Sequence, residues 1–214
     1  MKHRYVRRKY HIISESDFKF IINIFEKIVF ERCVTMAIHK FTMLYKDLVN
    51  TLGTEQANKI FPEYNNLSDK MDKQAQISIA SCVMQRMDES LDKDTIIKIR
   101  HGHTCNLPKT QREEMMELWN KCSSIDEFLK SYGCEKQIDG TYILSWEKLN
   151  QTKCLCPLFY KVSEYKPISI TWCECCNGHT EKSIKEICGQ PVKSEIIESI
   201  SSGGKACIFK ITVL

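Results

Sequence analysis

One stretch of this chain concentrates the residues that could do chemistry: Trp172-Cys173-Glu174-Cys175-Cys176-Asn177-Gly178-His179, with Cys154-Leu155-Cys156-Pro157 shortly before it. Five of the twelve cysteines and one of the six histidines fall here. Thiolates are soft, strongly binding ligands and imidazole is the commonest nitrogen ligand, so a Cys-x-Cys-Pro loop followed by Cys-x-Cys-Cys-x-x-His reads as a metal or redox site. Cys173 and Cys176 have the Cys-x-x-Cys spacing that lets two sulfurs meet one tetrahedral ion, at about 2.3 Å each for zinc. Cys156, just ahead of Pro157, can turn toward the same point. Cys154, Cys175 and His179 are substitutes. A dithiol redox role for Cys173 and Cys176 is weaker, because no thioredoxin-type βαβ pattern surrounds them.

A second cluster, His101-Gly102-His103-Thr104-Cys105, offers three possible ligands on one turn. Cys105 is the member expected to join the main site. Gly102 is accounted for as a helix end and both histidines as ordinary loop residues. Cys33, Cys82, Cys122, Cys134 and Cys188 are assigned to packing. His39 falls in a helical pattern and is expected to pack or face solvent.

The elements that must position these residues follow from periodicity. Phe18, Ile21, Ile22, Phe25, Ile28 and Val29, then Ala37, Phe41, Leu44, Leu48 and Leu52, recur at helical spacing from Ser14 to a stop at Gly53. Thr54 begins a short helix that Pro62 ends. Ser68 with Asp69 opens another, with Ala75, Ile79, Cys82, Val83 and Met87 as its apolar stripe. Asp94 caps a helix ending at Gly102, and two capping boxes, Thr110-x-x-Glu113 and Ser124-x-x-Glu127, open two more. Gly133 closes the last.

The pattern then changes. Asp139-Gly140 predicts a two-residue hairpin turn between Glu135–Ile138 and Thr141–Trp146. Lys166–Cys173 alternates as a strand, and His179–Cys188 reads as a helix ending at Gly189. Val192–Ile200 and Ala206–Val213 form a strand pair that places Cys207, Phe209, Ile211 and Val213 on one face. The expected architecture is α+β: a helical N-terminal part followed by an antiparallel sheet with one packed helix. Its divisions are a basic leader over residues 1–12, a helical part over 13–133, and an α+β part over 134–214, together one compact unit.

Composition narrows the function classes. The formal charge of +4 comes from the leader: Met1–Tyr10 carries five basic residues and no acid, leaving the remainder at −1. A near-neutral body with no interleaving of aromatic and basic residues gives no nucleic-acid surface. No apolar run approaches the ~20 residues that span a bilayer, and no small-residue cleavage site follows the basic start. The expectation is a soluble cytoplasmic protein whose cysteines are thiols or ligands rather than disulfides. No Gly-x-Ser-x-Gly elbow, Gly-x-x-x-x-Gly-Lys loop or His-Glu-x-x-His pair occurs.

The C-terminal third, Cys154 to Leu214, resembles the V4R (4-vinyl reductase-like) domain, of one superfamily with TRAPP-type domains. It also resembles bacterial proteins described as L-2-amino-thiazoline-4-carboxylic acid hydrolase-like. The resemblance is carried by Trp172-Cys173-x-Cys175-Cys176-x-Gly178-His179, by Val192 with Glu195, and by Gly203-Gly204-Lys205-x-Cys207-x-Phe209-x-Ile211. In an uncharacterised bacterial family with this ending, a mid-chain Gly-x-x-Cys matches Gly102 to Cys105. V4R-type endings often carry a cysteine where this chain has Ser199, which leaves Cys207 alone in that hairpin and shifts weight to Cys156, Cys173 and Cys176. The resemblance implies a sensor-like, often dimeric α+β protein.

The leading expectation is a small-ligand- and metal-binding, sensor-like protein. Cys105, Cys156, Cys173 and Cys176 hold zinc, with iron as the other metal and Cys154, Cys175, His179 and Cys207 in reserve. The expected partners are a small molecule and a second copy of the chain. The alternatives are a hydrolase of a small cyclic amide or thiazoline, using zinc-bound water or a cysteine activated by His179, and a regulatory module whose basic leader contacts nucleic acid.

Overall fold

In a computed structural model of the chain, residues 36–68, 70–146, 153–160 and 162–214 are described. The basic leader, Cys33 and the helical pattern from Ser14 to Thr35 lie outside them.

Seven α-helices precede or pack on a four-stranded sheet among the described residues: α1 Met36–Leu52, α2 Thr54–Ile60, α3 Lys73–Ser90, α4 Lys93–Gly102, α5 Lys109–Lys121, α6 Ile125–Ser131 and α7 Glu174–Cys188. The strands are β1 Glu135–Lys136, β2 Tyr142–Ser145, β3 Val192–Glu198 and β4 Ile208–Val213, all antiparallel, in the order β1-β2-β4-β3. This is the expected α+β arrangement of helices first and sheet second.

Several boundaries follow the predicted chemistry. Gly53 leaves α1 at φ +83°, a conformation that costs a side-chain-bearing residue energy. Ser124 accepts from the Glu127 amide at 3.2 Å and caps α6. The β1–β2 turn takes three residues, Ile138, Asp139 and Gly140, rather than two, because Gln137 pairs with Thr141. Within it Asp139 Oδ1 accepts from the Thr141 amide and hydroxyl at 3.0 and 2.6 Å. In β4, Phe209 and Ile211 are buried on one face, with Val213 partly so.

Other expectations are corrected. Asp72, not Ser68, caps α3, and Asp92, not Asp94, caps α4; each accepts from the amide three residues on. Thr110 lies inside α5, which starts after Pro108 without a side-chain cap. The α3 stripe is rotated from the expected one. Gln76, Ile77, Ala80, Val83, Met84 and Met87 are buried while Cys82 is exposed, so Cys82 is not a core residue.

The largest correction concerns Lys166–Cys173, which forms no strand. Ser169 caps a single 3₁₀ turn, Ile170–Cys173, that runs directly into α7. The helix therefore starts at Glu174, five residues earlier than His179. Asn177 and Gly178 are poor interior helix formers, but tertiary contacts hold them. Asn177 bridges Glu174 and Ser194 at 2.9 and 2.7 Å. A Cβ on Gly178 would lie 2.7 Å from His101 Cγ, so α4 and α7 approach this closely because the residue is glycine.

Two apolar cores result. Phe41, Leu44 and Leu48 of α1 join α3, α4, Phe159 and Trp172 in the first. Met115, Phe128, Leu144, Ile184, Phe209 and Ile211 belong to the second, between α5–α7 and the sheet. Cys173, the residue before α7, lies in the first core, whereas Cys176, Ile184, Ile187 and Cys188 of the helix lie in or against the second.

Candidate functional site

At that junction a charge is buried. Lys40 sits on the inward face of α1, one turn before Leu44, with 8 % of its surface exposed. An isolated ammonium in such a place costs several kcal/mol or loses its proton. Lys40 instead has partners: its Nζ lies 3.0 Å from Cys105 Sγ and 3.8 Å from Cys175 Sγ. Burial works against its charge, yet the sulfurs of Cys175, Cys156, Cys105 and Cys176 raise its pKa well above the ordinary lysine range.

Cys175, in the first turn of α7, is the other half of the pair. The adjacent Cys176 thiol hydrogen-bonds to it, and together with the charge of Lys40 this outweighs burial, so its pKa falls well below the usual thiol range. Cys176 moves the opposite way, raised by that same bond and by burial. A neutral Cys175 would donate one long bond to the Trp172 carbonyl at 3.6 Å. As a thiolate it accepts charge-assisted bonds of about 1.5–3 kcal/mol each, and the lowered pKa points in that direction.

His179 stands four residues after Cys175, on the same face of α7. It is partly exposed, as are Cys105 and Cys176, so these three connect the cluster to solvent. Burial lowers its pKa, against the pull of the Cys105 carbonyl. In the neutral ring Nδ1–H donates to that carbonyl at 2.6 Å, which leaves Nε2 as a lone-pair acceptor. A groove of about 340 Å³ runs along α7, lined by His101, Gly178, Lys182 and Lys185 among others. Gly178, Lys182 and Lys185 share the helical stripe that begins at Cys175.

A supporting frame fixes the loop carrying Cys105. Arg100, 1 % exposed, donates from Nε to the Thr171 carbonyl at 3.1 Å and from Nη2 to the Trp172 carbonyl. Its Nη1 reaches His103 Nε2 at 2.6 Å, and His103 Nδ1 donates to Asp47 Oδ2 at 2.8 Å. Burial, then the charges of Arg100 and Lys40, push the His103 pKa down to about 2, so this ring is neutral. On the other side of α4, His101 lies 3.6 Å from Glu174 and 3.5 Å from Glu181. Burial opposes its charge, but the two carboxylates overcome it and hold its pKa at about 9.

The expected ligand residues therefore divide. Cys105 and Cys175 touch Lys40, while Cys156 and Cys176 lie within its electrostatic reach. Cys156 Sγ accepts from Trp172 Nε1 at 3.3 Å, and burial raises its pKa. Cys173 turns away: its sulfur lies 3.3 Å from Ser199 Oγ and 2.9 Å from Ser201 Oγ, and burial pushes its pKa up to about 12. Cys154 and Cys207 are buried, with pKa values raised by that burial. Cys134 is buried, Cys122 and Cys188 are partly so, and His39 is exposed. Among the described residues, no three His, Cys, Asp or Glu side chains are placed to hold a metal ion.

Lys40 is the site residue that sequence reasoning missed. Its signal was a charged residue within the apolar periodicity of Phe41, Leu44 and Leu48. Asp47 sits seven residues on, two helical turns away on the same face.

Among the described residues no helix is long and apolar enough to cross a membrane. No curated protein matches the chain. No solved structure matches it either. A family model does, over residues 34–214, which takes in Lys40, the Cys105 loop, α7 and the whole sheet. The chain belongs to that family, DUF6144, a family of unknown function.

Proposed function

We propose that the protein is a thiol-dependent hydrolase of a small cyclic amide or thiazoline, with Cys175 as its nucleophile. The observation that carries this is the buried Lys40 ammonium set between the sulfurs of Cys105 and Cys175. Buried ion pairs contribute little net stability, whereas strongly shifted pKa values gather where chemistry is done. The resemblance of Cys154–Leu214 to thiazoline-carboxylic acid hydrolase-like proteins supports the same class.

On a cyclic amide, the Cys175 thiolate adds to the carbonyl carbon, forming a C–S bond. The ring C–N bond breaks, and its nitrogen takes a proton from Lys40. Water, losing a proton to His179 Nε2, then attacks the thioester. The C–S bond breaks, Cys175 leaves as thiolate, and the proton returns from His179 to Lys40. The sum is one amide bond hydrolysed by one water. A substrate would reach Cys175 past the partly exposed Cys105, Cys176 and His179.

The test is alkylation by iodoacetamide with peptide mapping, together with turnover of a panel of cyclic amides and thiazolines. Cys175 is expected to label at pH values where ordinary thiols are protonated, and Cys175→Ala to abolish turnover while Cys173→Ala retains it. Labelling of Cys175 only above pH 8, with no panel member consumed, defeats the reading.

A second reading, a zinc-binding sensor-like protein of V4R type, draws support from one observation. Cys105 and Cys175 both lie against a single buried cation, 3.0 and 3.8 Å from Lys40 Nζ, a place that would suit a soft metal ion once Lys40 swings aside. Stoichiometric zinc in protein purified under reducing conditions, lost with Cys105→Ser and Cys175→Ser, supports it; metal-free protein that still labels at Cys175 removes it.

A further inference from the structure

Lys40 and Cys105 form the closest nitrogen–sulfur contact of the cluster, at 3.0 Å. The two residues differ in exposure. Lys40 is buried and fixed by α1, whereas Cys105 lies in the loop between α4 and α5 with part of its surface in solvent. An oxidant from solvent therefore meets Cys105 before it meets Cys175, which is 1 % exposed. An oxidised sulfur at Cys105 would have a nitrogen nucleophile already beside it.

We propose that Lys40 and Cys105 are a modification site: hydrogen peroxide joins them through a covalent sulfur–nitrogen bond, a reversible sulfenamide that shuts the site down. In the first step the Cys105 sulfur attacks peroxide and the O–O bond breaks. This gives a sulfenic acid and one water; the sulfur loses two electrons and peroxide gains them. Sulfenic acids condense with nearby nitrogen or thiol groups. In the second step Lys40 passes one proton to the Cys175 thiolate, and its nitrogen attacks the Cys105 sulfur. Hydroxide leaves and takes a second N–H proton to become water. The sum is one thiol, one amine and one peroxide giving one sulfenamide and two waters, with the Lys40 proton now on Cys175.

The consequence for the site is direct. The bond consumes the ammonium that opposes the Cys175 charge, so Cys175 becomes a neutral, buried thiol. It also staples α1 to the Cys105 loop, closing one of the three side chains that open toward solvent. Two equivalents of a small thiol restore amine and thiol, releasing the thiol's disulfide. Formation of the link requires no substrate, so it stands or falls separately from the hydrolase reading.

The experiment treats reduced, full-length protein with hydrogen peroxide, then measures intact mass and a tryptic map. The expected result is a mass loss of about 2 Da, with one cross-linked species joining the Lys40 and Cys105 peptides. Trypsin does not cut after the modified Lys40, and dithiothreitol reverses the change. In Lys40→Arg the cross-link is absent and Cys105 proceeds to sulfinic acid. Joining of Cys105 to Cys175 as a disulfide overturns the proposal, as does Cys105 overoxidation in the wild-type protein with Lys40 still cut by trypsin.

Discussion

Replacing Lys40 with methionine probes the origin of the Cys175 charge most directly. Methionine keeps an unbranched chain of similar length and fills irregular apolar space well, so the packing beside Leu44 and Phe41 changes little while the ammonium disappears. Two outcomes are open to Cys175: to remain a buried thiolate without its cation, or to take a proton. Removing one partner of a locked buried pair costs about 3–5 kcal/mol. Protonation avoids most of that cost, because an ordinary thiol with pKa near 8.5 is already about 97 % protonated at pH 7. Cys175 therefore shifts toward the protonated form: without Lys40, burial is opposed by the Cys176 hydrogen bond and the more distant charges, and the pKa rises from its wild-type position. The lost contact, about 1.5–3 kcal/mol for a charge-assisted bond, favours the thiol over the thiolate by roughly 10-fold or more. The assay is iodoacetamide alkylation of Cys175 at pH 7, followed by peptide mass, with ultraviolet thiolate absorbance as a second readout. A drop on the order of 10-fold is expected, with Lys40→Arg retaining part of the rate. A Lys40→Met protein that is folded, by circular dichroism, and alkylates Cys175 at the wild-type rate would refute the assignment of Lys40 as the source of the shift.

The His101 bridge to Glu174 and Glu181 has a raised pKa of about 9, so its contribution is complete below the unfolded value near 6.5 and fades as pH rises through 9. Thermal melts of wild type and His101→Gln should differ most near pH 6 and converge near pH 10. Arg100→Lys loses the fork that holds the Thr171 and Trp172 carbonyls and His103 at once; a stability loss of about 3 kcal/mol in urea unfolding is expected, since lysine cannot span three acceptors. Gly178→Ala, a gain in an ordinary helix, should cost about 1–3 kcal/mol here by forcing α4 and α7 apart, read as a lower melting temperature. Cys173, bonded to two serines with its pKa at about 12, should resist alkylation at pH 8 in the folded protein and react only after denaturation.

Much of the fold was legible where local chemistry is self-sufficient. The Asp139-Gly140 hairpin, the Ser124 cap and the Phe209–Ile211 alternation need only near neighbours to form. Misplaced boundaries have a common cause: two or more residues could serve as caps, and Asp72 and Asp92 prevailed over Ser68 and Asp94 because the buried faces of α3 and α4 select the register. The start of α7 was hidden more deeply. Asn177 and Gly178 argue against helix locally, and the partners that override them, Ser194 and His101, lie far along the chain. The site shows the same limit. The cysteines advertised themselves, and their concentration drew attention to the stretch around Cys175. Which sulfur would carry charge depended on Lys40, separated by 135 positions from Cys175, and no spacing rule connects the two.

The bridging position of α7 has a consequence for how the reactive group comes into being. Lys40 arrives on a helix of the first core, whereas Cys175 arrives on a helix whose other end is packed against the sheet. Until the two cores dock, Cys175 is an ordinary thiol, mostly protonated at neutral pH, and Lys40 an ordinary solvated amine. On the proposed function, assembly itself generates the nucleophile. A nascent or partly unfolded chain thus displays no Lys40–Cys175 pair to scavenge electrophiles or cross-link with its neighbours, and the ionisation of Cys175 depends on α1 and α7 having come together.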